Sequence, residues 1–137
     1  MRTAVDSSVL LDVLIGDARF ADASEEALRR AAGEGALVIG ECVLAETIPA
    51  IGASAVVEFL ADWNLEFVPS TAESATLAGE MYQGYLRRSP RSGARVLPDF
   101  LIGAHAVCLA DRLLARDRGY YRDYFKRLRL VEPPARR

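Results

Sequence analysis

The sequence has 137 residues, 51% of them hydrophobic and 26% charged, a composition that suits one ordinary globular domain with room for a real core. No apolar run approaches the ~20 residues of a bilayer span, and Asp6 and Asp12 interrupt the N-terminal apolar stretch, so a cytoplasmic chain without a secretory leader is expected. One histidine excludes chemistry built on a His acid and a His base, and one histidine with two cysteines is too few ligands for structural zinc.

The net charge of −2 hides an asymmetry. Residues 1–84 carry four basic and fourteen acidic side chains, whereas residues 85–137 carry thirteen basic and five acidic. A basic last third points to an anionic partner on one face, although solvent-facing acidic helices would produce the first part equally well. Nearly all the basic residues are arginines, which offer bidentate contacts to phosphate and carboxylate alike. Cys42 and Cys108 lie in apolar helical stretches and read as small core hydrophobes rather than a disulfide.

Short apolar runs alternate with helical stretches, without an internal repeat or linker, which predicts a parallel α/β sheet flanked by helices. Residues 3–5 are a first strand, ending at Asp6. A helix starts at Ser7 and Ser8, places Val9, Leu10, Val13 and Leu14 at helical spacing and stops at Gly16. A second helix is expected over 22–32, capped by Ser24, with Ala27, Leu28 and Ala31 facing inward and Gly33 and Gly35 ending it. Residues 37–39 make a second strand, buried on both faces. Helices over 41–51 and 54–62 follow, with Pro49 expected to kink or shorten the first. Residues 65–68 are a third strand. The stretch 71–88 is helical, with Ala75, Leu77, Ala78, Met81, Tyr82 and Tyr85 on one face. Residues 89–97 read as a mobile loop, after which Pro98 and Asp99 open an apolar helix reaching 109. A fourth strand over 113–115 ends near Asp117, and a short helix over 120–125 leads to a fifth strand over 128–131.

Three acids fall where a strand hands over to a helix or where a helix begins: Asp6, Asp99 and Asp117. In parallel α/β sheets the carboxyl ends of the strands are where ligands bind. Glu46 lies in a helix that starts at the same edge, among apolar neighbours, where an unpaired carboxylate is costly. Four acids converging on one edge repel one another unless a cation neutralises them, and an all-oxygen set suits Mg²⁺ or Mn²⁺ rather than zinc. Such an ion supports attack of water on a phosphodiester. Each acid also has a plainer reading: Asp6 and Asp99 as helix N-caps, Asp117 as a turn residue, and Glu46 as an arginine partner. Of the other acids, Asp12 is expected on the solvent side of the first helix. Glu41 reads as a cap or a support for the site, and Asp111 as a turn former. His105 reads as a packing residue with one hydrogen bond.

V-D-S-S-V-L-L at 5–11, V-L-A-E at 43–46, P-D-F-L-I-G-A-H-A at 98–106 and L-L-A-R-D-R-G-Y-Y at 113–121 together resemble the PIN-domain ribonucleases. Within them, the chain resembles the VapC-type toxins of toxin–antitoxin pairs. The resemblance spans 1–137 as a single PIN domain and implies a three-layer α/β/α sandwich around a parallel sheet of four to five strands. It also implies an endoribonuclease dependent on Mg²⁺ or Mn²⁺, with Asp6, Glu46, Asp99 and Asp117 as the catalytic acids. Asp6, Asp99 and Asp117 would be the metal ligands, and Ser8 would support the first acid. The partners it implies are an RNA substrate, a VapB-type antitoxin over the groove and a second copy in a homodimer, with larger assemblies in the antitoxin complex. Arg87, Arg88, Arg116 and Arg118 are the candidate RNA contacts, with Arg91, Arg95 and Arg122 nearby. Tyr120 and Tyr121 stack on bases or pack against the fifth strand. The chain departs from the pattern at Ala115, where relatives often carry Thr, Ser or Asn. That support for the site is then absent or comes from Ser7 or a water, and weaker metal binding is expected. Two other readings stand beside this one: a PIN-fold RNA- or protein-binding module without cleavage, and an aspartate-dependent phosphotransfer domain, which lacks the second acid of a D-x-D motif after the first strand.

Overall fold

The computed structural model describes residues 1–88, 96–116 and 119–134. Five short strands, β1 (Arg2–Val5), β2 (Ala36–Ile39), β3 (Leu65–Phe67), β4 (Arg112–Leu114) and β5 (Leu130–Val131), pair in the order β3-β2-β1-β4-β5, and every pairing is parallel. The central strands are buried through Val5, Val38, Leu113 and their neighbours, as continuous apolar runs in a helix-covered parallel sheet should be. In register, Thr3 of β1 faces Leu37 of β2 and Arg112 of β4. The chain builds outward from β1 to β3 on one side and then returns to β4 and β5 on the other. The order therefore reverses between β1 and β4, and the carboxyl ends of those two strands bound a crevice of the kind that binds ligands.

Helices α1 (Ser7–Ile15), α2 (Ala21–Glu34), α3 (Glu41–Ile51), α4 (Ala53–Asp62), α5 (Ala72–Arg88), α6 (Leu97–Leu109) and α7 (Gly119–Tyr124) flank the sheet. α1 closes at Gly16, whose φ of 71° is the left-handed conformation that glycine adopts without a Cβ penalty. α3 runs through Pro49 to Ile51, so the expected shortening does not occur. α2 also differs from expectation. It begins at Ala21 and includes Gly33, and Ser24 is a fully buried residue inside it rather than its cap. Ala75 faces solvent. Residues 89–95 of the expected loop lie outside the described residues, while Val96 is buried and Leu97 already begins α6.

An aromatic cluster joins the last helices. Phe100 of α6 is fully buried, with ring centroids at 5.6 Å from Tyr82 and Tyr85 on α5, 5.7 and 5.3 Å from Tyr120 and Tyr124 on α7, and 6.0 Å from Phe125. Burying one such side chain stabilises by roughly 1.5–3 kcal/mol, and the tilted pairs add to that. Phe100 follows Asp99 directly, so the cluster fixes the start of α6 relative to α7. His105 is buried, and its Nε2 donates to the Val68 carbonyl at 2.7 Å, the single hydrogen bond expected of it. A Cβ on Gly40 would stand 3.0 Å from the same ring, which is why the chain keeps glycine where β2 turns into α3.

Candidate active site

Asp6 follows β1 directly, and its amide donates to the Leu114 carbonyl of β4 at 2.9 Å, which locks it at the reversal point. Its side chain is 5% exposed. Such burial is tolerated because donors surround it. Oδ2 accepts from the Ser8 amide at 3.1 Å and from the Ser8 hydroxyl, and Oδ1 accepts from the Tyr121 hydroxyl at 2.6 Å. The N-cap reading of Asp6 therefore holds together with a place in the site. An ionised carboxylate offers about four lone-pair sites, and among the described residues these three donors leave one of them on Oδ1.

A cleft of about 530 Å³ opens beside it, lined by Asp6, Ser7, Ser8, Glu46, Asp99, Arg116 and Tyr121 among others. Glu46 reaches it from α3, with Oε1 accepting from the Ser7 hydroxyl at 2.7 Å. Glu46 is exposed, so the expectation of an acid in apolar surroundings is corrected. Val43 on the same helix turns toward the core instead, and among the described residues the Glu46 carboxylate is held by the serine hydroxyl of Ser7. Asp99 lies half-buried in the first turn of α6, where the helix dipole favours an acid. It is not the N-cap, a position held by Val96. Asp117 and Arg118, like Arg91 and Arg95, lie outside the described residues.

Tyr121, on α7, is the site residue that sequence reasoning missed. Burial pushes its phenol above the ordinary range, and the carboxylates of Asp6, Asp99 and Glu46 push it further, so the hydroxyl remains a proton donor. Ala115 is fully buried, and Ser7, suggested as the substitute for a hydroxyl there, instead holds Glu46. Tyr120 parts from its neighbour and packs edge-on against Tyr85, with centroids 5.3 Å apart.

Asp12 overturns an expectation. It is 4% exposed and accepts from Arg116 Nε at 2.8 Å, Arg116 Nη2 at 3.1 Å and the Ser24 hydroxyl at 2.7 Å. The Arg116 guanidinium also stacks over Phe20, 4.0 Å from the ring centroid. Arg116, expected as an RNA contact, thus has its guanidinium committed to α1 and the start of α2. Its amide donates to the Ser8 hydroxyl at 3.1 Å, so the Asp12 pair and the Ser8–Asp6 contact steady one turn. Arg87 and Arg88 stand exposed at the end of α5, with the Arg88 guanidinium 5.4 Å from the Tyr124 ring centroid. Glu41 holds the chain after β3 by accepting from the Ser70 amide at 3.0 Å and from its hydroxyl. Asp111 accepts from the Arg2 amide at 2.7 Å.

Among the described residues, no three His, Cys, Asp or Glu side chains stand close enough together to form a metal-holding group. Asp6, Glu46 and Asp99 are nevertheless all oxygen donors on one cleft, and that donor chemistry fits a hard divalent cation.

Several solved structures share the fold. A chain of the VapBC2 complex from Rickettsia felis, bound to promoter DNA, aligns with 96% of this chain and 98% of its own at 19% identity and a TM-score of 0.73. The DNA-bound VapBC complex of Salmonella typhimurium gives 15% identity, the same coverage and a TM-score of 0.70. VapC20 of Mycobacterium tuberculosis, described as a sarcin–ricin loop cleaving toxin, gives 16% identity, 93% and 98% coverage and a TM-score of 0.58. No curated protein matches the sequence. The PIN domain family model matches residues 3–126, and with that match the chain belongs to the PIN-domain family.

Proposed function

We propose that this chain is the toxin of a VapBC-type toxin–antitoxin pair, an endoribonuclease that depends on Mg²⁺ or Mn²⁺. The observation that carries the reading is the opening of Asp6, Glu46 and Asp99 onto one cleft at the reversal point between β1 and β4. The similarity in fold to VapBC complexes and to a toxin described as cutting the sarcin–ricin loop supports it.

In this reading Asp6, Asp99 and Asp117 would hold one or two divalent ions, with Glu46 a ligand directly or through water. The ion supplies an activated water and charge neutralisation at the phosphate. Ser8 supports Asp6, and Ser7 holds Glu46. Arg87, Arg88 and Arg118 serve phosphate contacts that position RNA without reading its sequence. Arg116 acts from behind, through the turn that it shares with Ser8. A VapB-type antitoxin covers the cleft, a second copy completes a homodimer, and the chain works in the cytoplasm. Among the described residues, no helix is long and apolar enough to cross a membrane.

Incubating antitoxin-free protein with total bacterial RNA tests the reading. Discrete fragments that require Mg²⁺ or Mn²⁺ and vanish with EDTA and in Asp6→Asn are expected. Intact RNA across several preparations of folded protein would favour a binding module of the same fold.

A further inference from the structure

We infer that Tyr121 is a positioning residue for Asp6, its hydroxyl fixing which face of the carboxylate meets a divalent cation. The inference rests on the nuclease reading above and deepens it. Tyr121 is 3% exposed, and its hydroxyl is directed at Asp6 Oδ1, 2.6 Å away. Ser8 holds the other oxygen from within α1. With only Ser8 in place, the carboxylate is tethered through Oδ2 and free to rock about that point. With Tyr121 added, it is gripped through both oxygens, from α1 and from α7. One oxygen is then left with a lone pair in a set direction, the arrangement that orients ligands from behind in metal sites.

The surrounding fold serves that placement. The neighbouring Tyr120 and Tyr124 lock α7 onto Phe100, with centroids at 5.7 and 5.3 Å. Phe100 in turn follows Asp99. The packing that seats Asp99 therefore also aims the Tyr121 hydroxyl. Ala115 carries no hydroxyl, so among the described residues the side-chain support for Asp6 comes from Ser8 and Tyr121 alone.

The test is Mn²⁺ binding to the full chain without RNA, followed by electron paramagnetic resonance of the free ion, in wild type, Tyr121→Phe and the control Tyr124→Phe. Loss of a group that orients a ligand commonly weakens a metal site about 10–100-fold, and Tyr121→Phe should fall in that range while Tyr124→Phe matches wild type. In RNA cleavage at fixed Mn²⁺, kcat should fall, KM for RNA should hold, and raising Mn²⁺ should restore the rate. A merely structural role would lower thermal stability in EDTA and leave the affinity of the folded protein unchanged, which would overturn the inference. A readout on wild type does not depend on the variant folding: Mn²⁺ should draw charge from Asp6 and produce a tyrosine ultraviolet difference spectrum absent in Asp6→Asn. A flat spectrum at saturating Mn²⁺ would also overturn it. Failure of wild type itself to bind Mn²⁺ would overturn the nuclease reading and this inference together, whereas wild-type binding with equal affinity in Tyr121→Phe would overturn this inference alone.

Discussion

Asp12→Ala is the most informative perturbation of stability. Its side chain is 5% exposed and that of its partner Arg116 is 31% exposed. Removing one partner of a fully buried pair costs about 3–5 kcal/mol, but a guanidinium with that exposure regains part of its hydration. The Ser24 hydroxyl, with no exposure at all, loses its acceptor, which costs about 1–3 kcal/mol. We therefore expect a net loss of about 3 kcal/mol. At a urea m-value of about 2 kcal/mol/M this lowers the midpoint by roughly 1.5 M without changing the slope, and it lowers Tm by roughly 10 °C. Asp12→Asn keeps an acceptor for Ser24 and removes the charge, so it should fall between the two. A loss below about 1 kcal/mol in Asp12→Ala would refute the reasoning, because that is what a solvent-facing helix residue gives.

Three smaller tests follow from local geometry. Burial raises the Glu41 carboxyl, but the Ser70 hydroxyl and amide outweigh it and hold the carboxyl below its ordinary value of 4.5. A depressed folded value means that this link stabilises above about pH 4.5 and loses its contribution as pH falls through the lower folded value. Ser70→Ala should therefore destabilise at neutral pH and flatten the acid limb of a stability–pH curve, and an unaltered curve would contradict it. A Cβ on Gly103 would stand 2.6 Å from a carbon of the buried Phe125 ring, so Gly103→Ala should cost about 1–3 kcal/mol by urea denaturation. Gly79, within α5, has nothing within 4 Å of a Cβ, so Gly79→Ala should instead stabilise by up to about 1 kcal/mol.

The central strands β1, β2 and β4 were legible in the sequence because their apolar residues are buried on both faces and stand out as short apolar runs between helical periods. Asp6 and Asp99 were legible because chain order alone puts them at element boundaries. What stayed hidden depends on distant partners. Asp12 looks like an exposed helix acid until Arg116, 104 positions later, folds back on it. Ser24 reads as a cap because serine favours caps, whereas its hydroxyl serves Asp12 inside α2. Tyr121 reads as another packing aromatic, and its hydroxyl reaches Asp6 across 115 positions of sequence. Glu46 was placed correctly by the helix it sits on, but its exposure was misjudged because apolar neighbours in sequence face a different side of a helix.

In the proposed nuclease the acids act as one unit around the cleft. Single-turnover cleavage of a mapped RNA by Asp6→Asn, Asp99→Asn and the double variant tests it most directly. The account predicts that each single variant loses at least about a hundredfold and that the double is no worse than the poorer single, because groups acting as a unit are strongly non-additive. Near wild-type rates in folded single variants, or losses that simply multiply in the double, would contradict it.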